Sequence, residues 1–135
     1  EVSLYELKRG DKMTVKGAAT LVANILSGRP HWVQLLIVGT DSEGGSVYSI
    51  DSAGGSIPDV YCATGSGSPY MYGVLEDGFK ENMTRKEAVA LAARALNASA
   101  QRDAASGNGM DLAVITNKDG YIPVEQSEID SVLKK

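Results

Sequence analysis

The residues best placed for chemistry form a run of small and hydroxyl-bearing side chains, Thr-Gly-Ser-Gly-Ser, at residues 64–68. The pattern predicts a strand that ends at residue 63 and a helix with Ser68 as N-cap and Pro69 at its first position. Three interpretations follow: a phosphate site at the helix N-terminus, a tight capped turn, or hydroxyls that support a catalytic group. A P-loop is disfavoured because Pro69 follows the glycines and the next lysine is Lys80.

A second unusual segment, Arg-Asp-Ala-Ala-Ser-Gly, occupies residues 102–107. Its plain interpretation is an exposed helix end that is stopped by Gly107. Its functional interpretation is a hydrogen-bonding turn that fixes a neighbouring group. Both interpretations remain open on the local sequence.

Three further residues could carry chemistry, and each has a simpler interpretation. His31 is the only histidine, and a catalytic triad or a metal site would need partners that the sequence does not indicate, so a loop histidine is favoured. Asp51 fits a turn at the end of a strand. Cys62 is the only cysteine, so we expect a buried thiol in a reducing compartment without an internal disulfide.

The bulk composition is that of a globular domain. The chain has 135 residues, 43% hydrophobic and 22% charged, which fits one domain. A net charge of −4 without a clustered basic face argues against nucleic-acid binding. The longest apolar run, residues 32–38, is shorter than the ~20 residues of a transmembrane helix. No signal peptide is indicated, and an opening without Met that resembles the end of a helix suggests a start inside a longer protein.

The elements that would position these residues come in blocks of helices and strands. Five helices are expected. The first ends at Gly10, the second begins after the cap Thr14, and the third runs from Ser68 to Gly78. The fourth begins at the capping box Thr84–Glu87, and the fifth runs from the cap Ser127 to Lys135. Expected strands cover residues 32–40, 46–51, 59–63, 111–116 and 121–124, and Pro58 before the third of these favours a strand start or an edge strand. This order favours an α+β fold with antiparallel sheets and layered helices.

Periodicity predicts which faces are buried. The first strand, a continuous apolar run, should be buried on both faces. The second helix should bury one stripe: Val15, Ala18, Ala19, Val22, Ile25 and Leu26. The helix after the capping box should bury another: Ala88, Leu91, Ala92, Ala95 and Leu96.

Several segments together resemble archaeal proteasome β subunits, in family order and at family spacing. They are residues 4–7, 33–39, 48–51, 64–68 with 72–76, 102–107 and 111–116. The Arg-Asp-x-Ala-Ser-Gly loop is typical of active β subunits rather than α subunits.

The resemblance implies a four-layer αββα sandwich of the N-terminal-nucleophile hydrolase type, here a single domain over residues 1–135 that lacks its N-terminal strands. It implies a cytoplasmic threonine endopeptidase that needs no cofactor or metal and degrades unfolded proteins inside a chamber. Its partners would be α subunits and other β subunits in heptameric rings, a regulatory ATPase acting only through the α ring, and neither nucleic acid nor a membrane.

The family's functional residues map only in part onto this chain. The N-terminal threonine nucleophile and its lysine and aspartate partners have no counterpart, so no catalytic residue is expected here and the 135 residues alone are expected to be inactive. Ser66, Asp103 and Ser106 correspond to the supporting network near the threonine amine. Asp51 corresponds to a position that reaches a neighbouring subunit's substrate cleft. Ala104, often Ser in the family, keeps the spacing of the loop.

Two other classes of function remain as alternatives. The chain could be a catalytically inert fragment or scaffold subunit of the ring, whose missing strands would leave an open sheet edge. It could also be an unrelated α+β domain that binds a ligand at residues 64–68.

Overall fold

The computed structural model describes residues 1–134 and has the expected order of helices and strands. In chain order the elements are α1 (Val2–Arg9), α2 (Val15–Gly28), β1 (Leu35–Asp41), β2 (Gly44–Ile50), β3 (Ser56–Asp59), α3 (Ser68–Gly78), α4 (Arg85–Arg102), β4 (Ala113–Thr116), β5 (Gly120–Pro123) and α5 (Gln126–Leu133). All strand pairs are antiparallel. The chain divides into two compact units, the first of which ends at Cys62 and the second of which begins at Ala63. The α+β class is therefore confirmed.

The first unit packs α2 against a three-stranded sheet of order β1-β2-β3. Thr14 caps α2 as predicted, since its hydroxyl accepts from the Gly17 N–H at 3.0 Å. The core of this unit consists of one helix face and the end of β2: Ala19, Ala23, Leu26 and Ile50. Asp41 at the end of β1 accepts a hydrogen bond from the Val15 N–H at 2.9 Å, which ties the start of the helix to the sheet.

The second unit is built around α4, which packs against α3 and α5. The predicted capping box at Thr84 and Glu87 begins α4, with both reciprocal hydrogen bonds present. The core beside α5 joins α4 to the segment after the β4-β5 hairpin: Val89, Ala93, Val124 and Ile129. A bidentate pair between Arg85 and Glu128, at 2.8 and 3.1 Å, links the start of α4 to α5.

Three predictions for the first sheet are wrong. The expected strand at residues 32–40 begins only at Leu35, and Trp32 is fully exposed. This strand is not buried on both faces: one side packs against α2, whereas Val38, on the other side, is 55% exposed. The third strand begins before Pro58 and ends at Asp59 instead of residue 63, so Pro58 lies inside an edge strand, where a missing N–H is tolerated.

The predicted helix caps are correct at Thr14 and Thr84 and wrong at two serines. Gly67, and not Ser68, is the N-cap of α3, which moves Pro69 to the second helical position. Glu125, and not Ser127, precedes α5. The end of the expected last helix at Lys135 lies outside the described residues.

The predicted buried stripes are correct only in part. Ile25 in α2 is 51% exposed and Ala88 in α4 is exposed, whereas the buried Ala23, Val89 and Ala93 were not predicted. In α4 this happens because two helices pack on it from different sides, which buries more than one stripe. Cys62 is half-buried and not fully buried. No helix within residues 1–134 is long and apolar enough to cross a membrane.

Candidate functional site

The turn at residues 64–68 presents one hydroxyl at its exposed tip. Gly65 has a φ of 93°, a left-handed conformation that favours glycine, and its carbonyl accepts from the Ser68 N–H at 3.1 Å. The hydroxyl of Tyr72 in α3 accepts from the Ala63 N–H at 3.1 Å, which fixes the start of the turn to the helix that follows. Ser66 is exposed between these anchors.

The loop after α4 is held by backbone hydrogen bonds that begin inside the helix. Asp103 is the C-cap of α4, and its N–H donates to the Ser99 carbonyl at 2.8 Å. The Ser106 N–H then donates to the Asp103 carbonyl at 3.2 Å, and Gly107 follows with a φ of 67°. This turn places the Asp103 carboxylate and the Ser106 hydroxyl next to each other.

The structure brings the three predicted supporting residues together at the Asp103 carboxylate. Its Oδ2 accepts from the Ser66 hydroxyl at 2.6 Å and from the Ser106 hydroxyl at 2.5 Å. Its Oδ1 accepts from the Ala105 N–H at 3.2 Å. The hydroxyl of Ser106, then that of Ser66, lowers the pKa of Asp103 below its ordinary value, because these donors stabilise the charged carboxylate.

The hydrogens of this network have one consistent arrangement. An ionised carboxylate only accepts, so Ser66 and Ser106 each direct their single hydrogen to Asp103. The Ser66 oxygen then offers only lone pairs to any further group. A hydroxyl oriented in this way can accept a hydrogen bond from an amine but has no hydrogen left to donate.

Two residues outside the predicted supporting set complete the site. Ser99 in α4 is 3% exposed, and its hydroxyl lies 2.8 Å from that of Ser106. Gly67 packs directly over it: a methyl group added to Gly67 would overlap Ser99 Oγ and lie 2.6 Å from Ser106 Oγ. A serine in place of alanine on a buried helix face was the available signal, whereas no local pattern identifies the contact with Gly67.

The other predicted residues lie in the first unit and have local roles. The Asp51 carboxylate accepts from the N–H groups of Ala53 and Gly55 at 2.9 and 2.8 Å, which is the predicted turn at a strand end. These two hydrogen bonds lower the pKa of Asp51, and the bond from Gly55 has the larger effect. His31 is exposed in a loop, as predicted. The pKa of the Cys62 thiol is raised, mainly because the thiol is partly buried, and this disfavours the reactive thiolate.

No metal site is indicated by the described part of the chain. Residues 1–134 contain no group of three or more His, Cys, Asp or Glu side chains that could hold a metal ion. A cavity of about 220 Å³ in the first unit lies near α1 and the start of the chain and is lined by Glu1, Leu4, Tyr5, Lys8, Met13 and Leu21, which offer no arrangement of catalytic groups. The network around Asp103 is therefore the candidate functional site.

Comparison with known proteins identifies the family of the chain. The family model described as Proteasome subunit matches residues 1–115, which span both compact units. The chain belongs to the proteasome subunit family. Ser66, Asp103 and Ser106 all lie inside the matched range.

Archaeal proteasome β subunits are similar to the whole of this proteasome-family chain. "Proteasome subunit beta" of Thermoplasma acidophilum is 48% identical over 138 aligned residues, and that of Methanobrevibacter ruminantium is 47% identical over 135, each alignment covering all of this chain. The corresponding protein of Methanosarcina barkeri is 46% identical over 98% of the chain. The chain spans about 65% of the length of these curated relatives (64% for the last).

Proposed function

We propose that this chain is the larger, C-terminal part of a proteasome β subunit, and that the complete subunit is a threonine endopeptidase. Its similarity, along the whole of this chain, to proteins named proteasome β subunits supports this assignment. The complete subunit would form one domain, the four-layer αββα sandwich of N-terminal-nucleophile hydrolases, to which both compact units contribute. It would work in the cytoplasm, in heptameric rings with other β subunits, next to rings of α subunits, and degrade unfolded proteins.

The single observation that carries the catalytic part of this proposal is the hydrogen-bond arrangement at Asp103. In threonine proteases the nucleophilic hydroxyl loses its proton to the α-amine of the same N-terminal residue. That amine must be oriented, because a hydrogen on its nitrogen has to point away while the lone pair takes up the proton. Ser66, whose own hydrogen is committed to Asp103 at 2.6 Å, offers a fixed acceptor for this N–H.

The negative charge of Asp103 adds an electrostatic contribution. When the amine takes the proton it becomes an ammonium, which a nearby carboxylate stabilises through the intervening hydroxyl. Both serines direct their hydrogens to this carboxylate and lower its pKa, so it remains ionised at neutral pH. The supporting residues lie next to the N-terminus of one helix and the C-terminus of another, which are rigid supports.

Asp51 is proposed, separately, to reach the substrate cleft of a neighbouring subunit.

Substitution in the complete assembled subunit tests this function. We expect Ser66→Ala or Asp103→Asn to lower kcat for a fluorogenic peptide by about tenfold to hundredfold. A hydrogen bond to a charged group contributes about 1.5–3 kcal/mol, and about 1.4 kcal/mol corresponds to a tenfold change in rate. Particle assembly, checked by size-exclusion chromatography, should be unchanged.

Ser131→Ala is the matched control, since Ser131 is also exposed and its hydroxyl donates only locally, to the Glu128 carbonyl at 2.8 Å. It should keep the original kcat. Full activity in both Ser66→Ala and Asp103→Asn would contradict the supporting role. An assembled, complete subunit without peptidase activity would favour the alternative of a structural ring component.

A further inference from the structure

We propose that Ser99 is a positioning residue, which sets the direction of the hydrogens in the network at Asp103. This inference rests on the function proposed above and extends it to a buried residue that makes no contact with the Asp103 carboxylate. Within residues 1–134, Ser99 is the only polar residue that is buried. It lies in the last turn of α4, a helix whose other buried residues are all apolar.

The hydrogen count determines what Ser99 does. Ser106 has one hydroxyl hydrogen, and Asp103 Oδ2 accepts it at 2.5 Å. The contact between Ser99 Oγ and Ser106 Oγ, at 2.8 Å, must then be a donation from Ser99 to Ser106. The hydrogens therefore run from Ser99 to Ser106 to Asp103, and Ser99, as the donor, does not compete with Asp103 for the Ser106 hydrogen.

Burial makes this direction fixed. Ser66 and Ser106 are exposed, so water can compete for their hydrogens, whereas the hydroxyl of Ser99 lies under Gly67 and is shielded from solvent. A buried hydroxyl that lost its partner would carry a desolvation cost, so Ser99 keeps its bond to Ser106. Through Ser106 it holds the carboxylate in the orientation that Ser66 needs.

A double-mutant cycle separates this role from simple packing. In the complete assembled subunit, we expect Ser99→Ala to lower kcat for a fluorogenic peptide by about twofold to tenfold, the range of one neutral hydrogen bond, with KM unchanged. In a Ser106→Ala background the same substitution should change kcat by less than about twofold, because its route to Asp103 is already gone. Ser131→Ala serves again as the control.

Ser99→Cys covers the case in which the alanine variant does not fold. It fills nearly the same space but donates only weakly, so it should lose kcat as Ser99→Ala does. An equal fall in kcat with and without the Ser106 hydroxyl, or no fall at all, would overturn the positioning role. If Ser66→Ala and Asp103→Asn also leave kcat unchanged, the supporting role proposed for the whole network at Asp103 fails. If those two variants lose activity while both Ser99 variants keep it, only the inference on Ser99 fails.

Discussion

At the scale of single residues, Gly67 has no space for a side chain, because it lies against Ser99 and Ser106. It has no unusual backbone conformation, but a methyl group there would overlap Ser99 Oγ and press on Ser106 Oγ. The first of these atoms belongs to a buried side chain that cannot move aside easily. The space above Ser99 therefore admits only a glycine.

We expect Gly67→Ala to lower the stability of the complete subunit by about 1–3 kcal/mol, the usual cost of overpacking. The measurement is the free energy of unfolding in urea. Gly73→Ala is the matched control: Gly73 lies within α3 with open space around its Cα, and alanine there should stabilise by up to about 1 kcal/mol. Equal effects of the two substitutions would contradict the tight contact.

The supporting network was predicted from the family resemblance, because the local sequence alone left several interpretations of both segments open. Asp103 and Ser106 belong to one short loop, and a hydroxyl in a glycine-rich turn is visible at Ser66. Their contacts agree with the family resemblance, whereas their role in the reaction stays a prediction. Ser99 and Gly67 could not be identified, because their contact joins segments far apart in the sequence and depends on how closely α3 and α4 approach.

At the scale of elements, the start of α4 depends on a self-contained set of hydrogen bonds. Glu87 Oε2 accepts from the Thr84 N–H at 2.8 Å and from its hydroxyl at 2.6 Å, while Thr84 Oγ1 accepts from the Glu87 N–H at 3.3 Å. The hydrogen bond from the Thr84 hydroxyl is the main reason that the pKa of Glu87 is lowered. These contacts occupy N–H groups that a helix start would otherwise leave without partners.

We expect Thr84→Ala to lower the free energy of unfolding by about 0.5–2 kcal/mol, the usual value of a cap. Thr20→Ala is the control, since Thr20 is exposed inside α2 and alanine has the higher helix propensity there. It should leave stability unchanged or slightly higher. Urea denaturation of both variants measures the difference, and an unaffected Thr84→Ala variant would show that tertiary packing alone maintains the helix.

Element types were more predictable than element boundaries and burial. Caps at Thr14 and Thr84 were correct because they depend on residues three positions apart. The end of β3 at Asp59 was not foreseen: Asp59 pairs with Val47, and the pairing stops there although β2 continues to Gly44 and the apolar sequence continues beyond Asp59. The exposure of β1 was not foreseen either, because burial on the second face requires a covering layer that a strand pattern cannot specify.

At the scale of the whole molecule, the face of the three-stranded sheet opposite α2 carries exposed apolar side chains. Ile37 and Tyr48 point to α2, so their neighbours point away from it. On this outer face Leu36, Val38 and Ile57 are 37%, 55% and 63% exposed, and Ser49 lies between Leu36 and Ile57. Exposed apolar side chains on edge strands favour association between chains.

We expect the 135-residue chain to self-associate as its concentration rises, and Val38→Lys to reduce this association. Sedimentation velocity over a concentration series measures the fraction of larger species. Ile25→Lys is the control, since Ile25 is similarly exposed, at 51%, but lies on α2 and not on the sheet face. Equal reduction by both variants would indicate a general charge effect and contradict a role for the sheet face.

The contact between Ser66 and Asp103 also makes the site depend on the packing of two helices. The two residues are 37 positions apart, so their bond depends on the native arrangement of the chain between them. That chain contains α3 and the whole of α4, which pack on each other. Any change that separates α3 from α4 should therefore also remove the acceptor orientation of Ser66, even where no residue of the network itself is altered.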